Sequence, residues 1–208
     1  MLMQRASTGL FWFLSIVIAA LAFVVVTLAT TIGFDQAAPH LVHYLDSEKL
    51  PLYAHIVFAP LALLLAPFQF WAGLRNGHRR IHRAIGYAYA VAIAIAAIGS
   101  LLMLPRFQGS TWATTGFALL AVIWVATTAR AVLLARARRI AEHRAWMMRS
   151  AALTFAAVVL RLMMLPLMAT GMPMLKTYDI TAWASWLLPL LVVEWLLRRP
   201  GRMVQQPV

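Results

Sequence analysis

The chain has 208 residues, 63% of them hydrophobic and only 12% charged, where a soluble globular domain is roughly half apolar and a quarter charged. Lys and Arg number 18 against 6 Asp and Glu; in so apolar a chain that excess points to a membrane protein with its cations on one side, and away from nucleic acid. There is no Cys, which excludes disulfides, thiolate metal sites and Cys nucleophiles.

A membrane helix needs roughly 20 mostly apolar residues. Six segments meet that length, at about 10–32, 51–73, 83–104, 112–135, 146–170 and 180–197. The first is too long for the h-region of a signal peptide, about 7–15 residues, and is read as a retained helix. The expected fold is therefore all-α: one polytopic domain over 1–199, a bundle of six transmembrane helices, followed by a flexible tail at 200–208. The loops are short except 33–50 and 171–179, so no soluble domain is expected between spans.

The arginines set the expected orientation. Arg5 precedes the first span. Arg75, Arg79, Arg80 and Arg83 lie between the second and third. Arg136, Arg138, Arg139, Arg144 and Arg149 surround the connection from the fourth to the fifth, and Arg198, Arg199 and Arg202 follow the sixth. By the positive-inside rule both termini are cytoplasmic. The same basic rim would attract the anionic head groups of the lipid bilayer. Trp71, Trp112, Trp146, Trp183, Trp186 and Trp195 fit an interfacial aromatic belt.

Helical periodicity then sorts the faces. From His55 in the second span, one face carries Ala59, Ala62, Ala66, Gln69 and Gly73. From His82 at the start of the third, it carries Gly86, Tyr89, Ile93, Ala96 and Ser100. From His143, it carries Met147, Ser150, Thr154, Ala157 and Arg161. Small residues allow close helix approach, and buried polar groups bond between helices; these stripes are the expected inward faces. Gly86 after His82 and Ala59 after His55 would also leave room for a flat ligand. His82, His143 and Gln69 fall at one depth, near the cytoplasmic boundary. Arg161 lies 15 residues beyond Trp146, about 22 Å along the helix, at a depth comparable with His55. Glu194 is at the wrong end to pair with it. An ionisable residue inside a span is a functional candidate by default.

Three stretches carry a resemblance: "APFQFWAGLR" at 66–75, "HRAIGYAYA" at 82–90 and "EHRAWMMRSAALTFAAVVLRLMMLP" at 142–166. Together they resemble a bacterial family of predicted multi-pass membrane proteins, filed as domain of unknown function 2306. The resemblance runs from about Pro51 to Pro166, through "GFALLAVIWVATTARA" at 116–131. It implies a multi-pass fold and the bacterial cytoplasmic membrane, and no particular reaction. It marks Pro67, Phe68, Gln69, His82, Arg83, His143, Arg144 and Arg161 as signature positions. A looser likeness, resting on helix number and histidine placement, is to transmembrane b-type cytochromes.

Several functions fit these residues. In a redox protein, His82 and His143 would hold haem b axially, with Arg83 and Arg144 for propionates or a quinone. An outer haem would need His55 and a loop histidine. In a protein handling small solutes or lipids, Arg161, His55 and the stripe through Arg149, Ser150 and Thr154 would line a cavity for an anionic or quinone-like ligand. In a structural or assembly subunit the same residues would only anchor helix ends and lipid. A minor alternative is a metal site in the outer loop, where His40, His43 and Asp46 stand at i, i+3 and i+6. Hydrolase triads, phosphate-binding glycine loops and paired catalytic carboxylates are not visible.

Overall fold

The computed structural model describes residues 2–199, with side chains from Gly9 onward; the expected tail at 200–208 and the Arg5 and Arg202 side chains lie outside that description. Among the described residues every regular element is helical. In chain order these are α1 (Leu2–Thr31), α2 (Phe34–Ala37), a 3-10 segment (Pro39–Tyr44), α3 (Lys49–Phe70), α4 (Ala72–Gly77), α5 (Arg79–Met103), a 3-10 turn (Leu104–Arg106), α6 (Thr111–Arg136), α7 (Ile140–Ala169) and α8 (Met174–Arg198). Six of them are long and apolar enough to cross a membrane. The molecule is an all-α, multi-pass membrane protein. Large apolar side chains such as Phe13, Val24, Val91, Leu133, Leu165 and Leu191 are exposed, as they must be where the solvent is lipid.

The helices outrun the apolar segments. α5 begins at Arg79, α7 at Ile140 and α8 at Met174, four to six residues before the apolar pattern starts at 83, 146 and 180. Hydrophobicity marks the lipid-spanning part of a helix; charged residues continue it past the interface. His82, His143 and Arg144 therefore sit on regular helix. α3 does the reverse and stops at Phe70. Pro67 has no N–H to donate to the preceding turn, and Trp71 leaves helical geometry at ψ 109°. The short α4 then leads into α5.

Small residues join the bundle. α3 and α5 share its most extensive seam, built on Ala62, Ala66, Ala92, Ile93, Ala96 and Ala97, all buried. At Gly99 a Cβ would lie 2.6 Å from the Pro51 carbonyl oxygen and 3.0 Å from the His55 nitrogen. At Gly116 it would lie 2.9 Å from the Ala182 carbonyl oxygen. These glycines set how closely α5 approaches α3 and α6 approaches α8. α6 and α8 also pack on α7. α1 lies on α3 and α7 at the periphery, where Ala19 meets Leu63 and Val158.

Candidate functional site

The polar stripes do converge, in three layers. The middle layer is a hydroxyl network. The Tyr89 hydroxyl is 2.9 Å from Ser150 Oγ and 2.6 Å from Thr154 Oγ1. The Trp124 indole N–H donates to Thr154 Oγ1 at 2.9 Å. Thr128 Oγ1 lies 2.7 Å from Ser150 Oγ and 2.7 Å from the Trp124 carbonyl oxygen. Thr154 also reaches the Ser150 carbonyl oxygen at 2.9 Å. All five residues are buried. Four hydroxyls and one indole thus bring five protons to six contacts, so every polar group there has a partner. Trp124 and Thr128 were not among the expected residues. Their signal was present: they stand four apart in α6, and the next position on that face, Ala131, takes the His143 ring.

The second layer lies at the arginine-rich end, where α3 finishes and α5 and α7 begin. Gln69 is buried and its Nε2 has no partner. Its Oε1 would lie 3.1 Å from a Cβ on Gly86. The space beside Gly86, expected to admit a flat ligand, is therefore filled by the Gln69 side chain. His82 Nδ1 and Arg144 Nε are likewise buried without a partner. His143 and Arg75 lie within Coulombic reach of His82, and Arg144 within reach of Arg75. His143 is held differently, with Nδ1 2.8 Å from the Ala131 carbonyl oxygen. Donation from Nδ1 leaves Nε2 as an acceptor or ligand atom. Arg83, the other expected propionate partner, is exposed.

Electrostatics distinguishes this end. The chain has six acids. Glu194 takes Arg149 in a two-pronged pair at 2.5 and 3.0 Å, and Glu142 takes Arg139. Asp179 accepts from Ser110 and lies near Lys176. Among the described residues, no carboxylate pairs with Arg75, Arg144, His82 or His143. Burial, and then the neighbouring Arg144, hold the Arg75 guanidinium below its ordinary pKa. Arg149, expected on the ligand stripe, ties α7 to α8 through Glu194 and lies 5.0 Å over the Trp146 ring.

The third layer is at the opposite end. Arg161 is exposed, yet His55 on α3, His40 in the 3-10 segment and Tyr178 on α8 all lie within Coulombic reach of it. Its Nη1 donates to the Ala157 carbonyl oxygen at 2.8 Å. His55 Nδ1 is 3.0 Å from the Ala96 carbonyl oxygen.

The metal set expected in the outer loop does not form. The 3-10 segment ends at Tyr44, so Asp46 loses the helical register that would align it with His40 and His43. The His43 ring packs on Tyr44 at 3.9 Å instead. Among the described residues no three His, Asp or Glu side chains gather as a metal site.

No curated protein and no solved structure matches the chain, and the likeness to b-type cytochromes draws no support from them. A family model described as predicted membrane protein DUF2306 matches residues 52–197, which span α3 to α8 and every residue of the three polar layers except His40. The chain belongs to the DUF2306 family of predicted membrane proteins.

Proposed function

We propose that the protein is a multi-pass protein of the bacterial cytoplasmic membrane, with both termini inside, that binds an oxyanion at its arginine-rich end. One observation carries this reading: Gln69 Nε2, His82 Nδ1 and Arg144 Nε are buried without a partner among cations that no carboxylate neutralises. An unpartnered buried polar group costs about 1–3 kcal/mol. Three of them, contributed by three helices around one mouth, are explained by a group they bind. Two of the three are donors and the third is an imidazole, and Arg75 adds positive charge. The complementary chemistry is a phosphate or carboxylate, on a lipid head group or free in the cytoplasm. The positive-inside rule supports the orientation, and the exposed Arg79, Arg80 and Arg83 supply a rim for anionic head groups.

The test is native mass spectrometry of protein purified in neutral detergent. Vesicles containing phosphatidylglycerol and solutions of inorganic phosphate are offered in separate arms. Wild type should retain one more bound anion in one arm than Gln69→Met or Arg144→Met does. Equal retention by all three proteins, or no adduct in either arm, would overturn the proposal. A haem or quinone role needs space that the Gln69 side chain fills beside Gly86. A reduced-minus-oxidised spectrum with a b-type α-band would favour that role.

A further inference from the structure

We infer that the cleft around Arg161, at the end opposite the Gln69 cluster, is a second binding site that takes a small soluble oxyanion from the outer side.

The argument starts with where the guanidinium points. α7 runs from the arginine-rich end outward, and Arg161 turns back to the Ala157 carbonyl oxygen, one turn toward the bilayer centre. A snorkelling arginine would reach the other way, to outer water. Only one Arg161 N–H is used in that bond, and among the described residues no other acceptor meets the group. Its charge is not cancelled: the three described ion pairs hold Glu142, Glu194 and Asp179, and none involves Arg161. Exposure with neighbours on α3, α8 and the 3-10 segment describes a cleft between elements; an arginine facing lipid would have neighbours on one side only.

The surrounding groups also suit an anion. His55 sits with Nδ1 at the Ala96 carbonyl oxygen, which turns its other ring nitrogen away from α5. His43 Nε2 is buried without a partner. His40 faces His43 from its own segment and Arg161 from α7. Burial, then those two neighbours, hold its imidazole below the ordinary value. Tyr178 faces Arg161 from α8, and Tyr44 faces Tyr178. Burial pushes the Tyr44 hydroxyl up to about 12, so it stays neutral. The cleft thus holds one fixed cation, three imidazoles and neutral phenols. The outer loop that carries His40 and His43 makes water the route of entry, which selects a soluble anion over a lipid head group. A bound anion would favour the protonated His40 imidazole, so binding takes up a proton.

The experiment uses protein in nanodiscs of neutral phosphatidylcholine, with Arg144→Met as the background to silence the other proposed site. Inorganic phosphate is titrated by calorimetry at about pH 6 and about pH 8, on either side of the ordinary histidine value. Expected are saturable binding at one phosphate per chain, at least several-fold tighter at the lower pH, and a loss of tenfold or more in Arg161→Gln. Arg161→Lys, which keeps the charge in place, should retain most of the affinity and serves as the folded control. Absence of saturable binding, or equal affinity in Arg161→Gln, overturns the inference. Either result leaves the Gln69 site untouched, because that site is read as the bound anion that wild type retains and Gln69→Met and Arg144→Met lack.

Discussion

Replacing Gln69 with methionine should stabilise the ligand-free protein. Gln69 is 8% exposed, its Nε2 has no partner, and it sits where α3 is about to end at Phe70. A buried polar group without a partner costs about 1–3 kcal/mol, whereas an apolar group of the same shape incurs no such penalty. Methionine matches the glutamine chain in length and bends to fill irregular space. Gly86 lies close on the Oε1 side, at 3.1 Å from its Cβ position, and it has no side chain to clash. The expected gain is about 1–2 kcal/mol, which for a chain of this size raises Tm by roughly 2–8 °C. The assay is thermal unfolding in neutral detergent, with and without added anion. Without anion the variant should melt above wild type; with saturating anion the order should reverse, because only wild type gains from the ligand at this end. A variant that melts below wild type under both conditions would mean that the amide is already satisfied, and the argument for a ligand there would fail.

Other outcomes follow from the packing. Gly99→Ala should destabilise by about 1–3 kcal/mol, because its Cβ meets the Pro51 carbonyl oxygen at 2.6 Å and backbone cannot step aside; a thermal melt reads it. Glu194→Gln should cost about 1–3 kcal/mol, since the Arg149 guanidinium is left without its anion but remains partly open to water. Adding Arg149→Met should recover most of that loss, and a double-mutant cycle of unfolding free energies checks both. Tyr89→Phe removes one proton from a network with one contact too many, so it should cost only about 0.5–1.5 kcal/mol; a much larger loss would show that the tyrosine proton is indispensable. Reporter fusions after Arg199 should be active only when the reporter works in the cytoplasm, and the opposite pattern would reverse both proposed sites.

The fold was legible because lipid imposes a coarse rule. Six apolar runs of sufficient length became six helices, and the periodic stripes from His82 and His143 did bring Tyr89, Ser150 and Thr154 together. Helix ends were less legible. Hydrophobicity cannot see the four to six residues, some of them charged, that continue α5, α7 and α8, nor the break at Trp71 before the α4 turn whose Arg75 comes within Coulombic reach of His82 and Arg144. Pairing was the least legible. Small residues beside a histidine read equally as room for a ligand or as close packing, and at Gly86 the neighbour turned out to be Gln69. The partner of Arg149 was not legible, because Glu194 lies 45 positions away on α8. The metal pattern at His40, His43 and Asp46 assumed a helix that stops two residues too soon.

The central claim is that Gln69, His82 and Arg144 hold an oxyanion. The most direct measurement is a density map of the protein, purified in neutral detergent without stripping bound molecules, at a resolution that shows side chains. The account predicts density for an oxyanion whose oxygens lie about 2.7–3.2 Å from Gln69 Nε2, His82 Nδ1 and Arg144 Nε. A map in which those three nitrogens are bonded only to protein groups or to separate waters would contradict it.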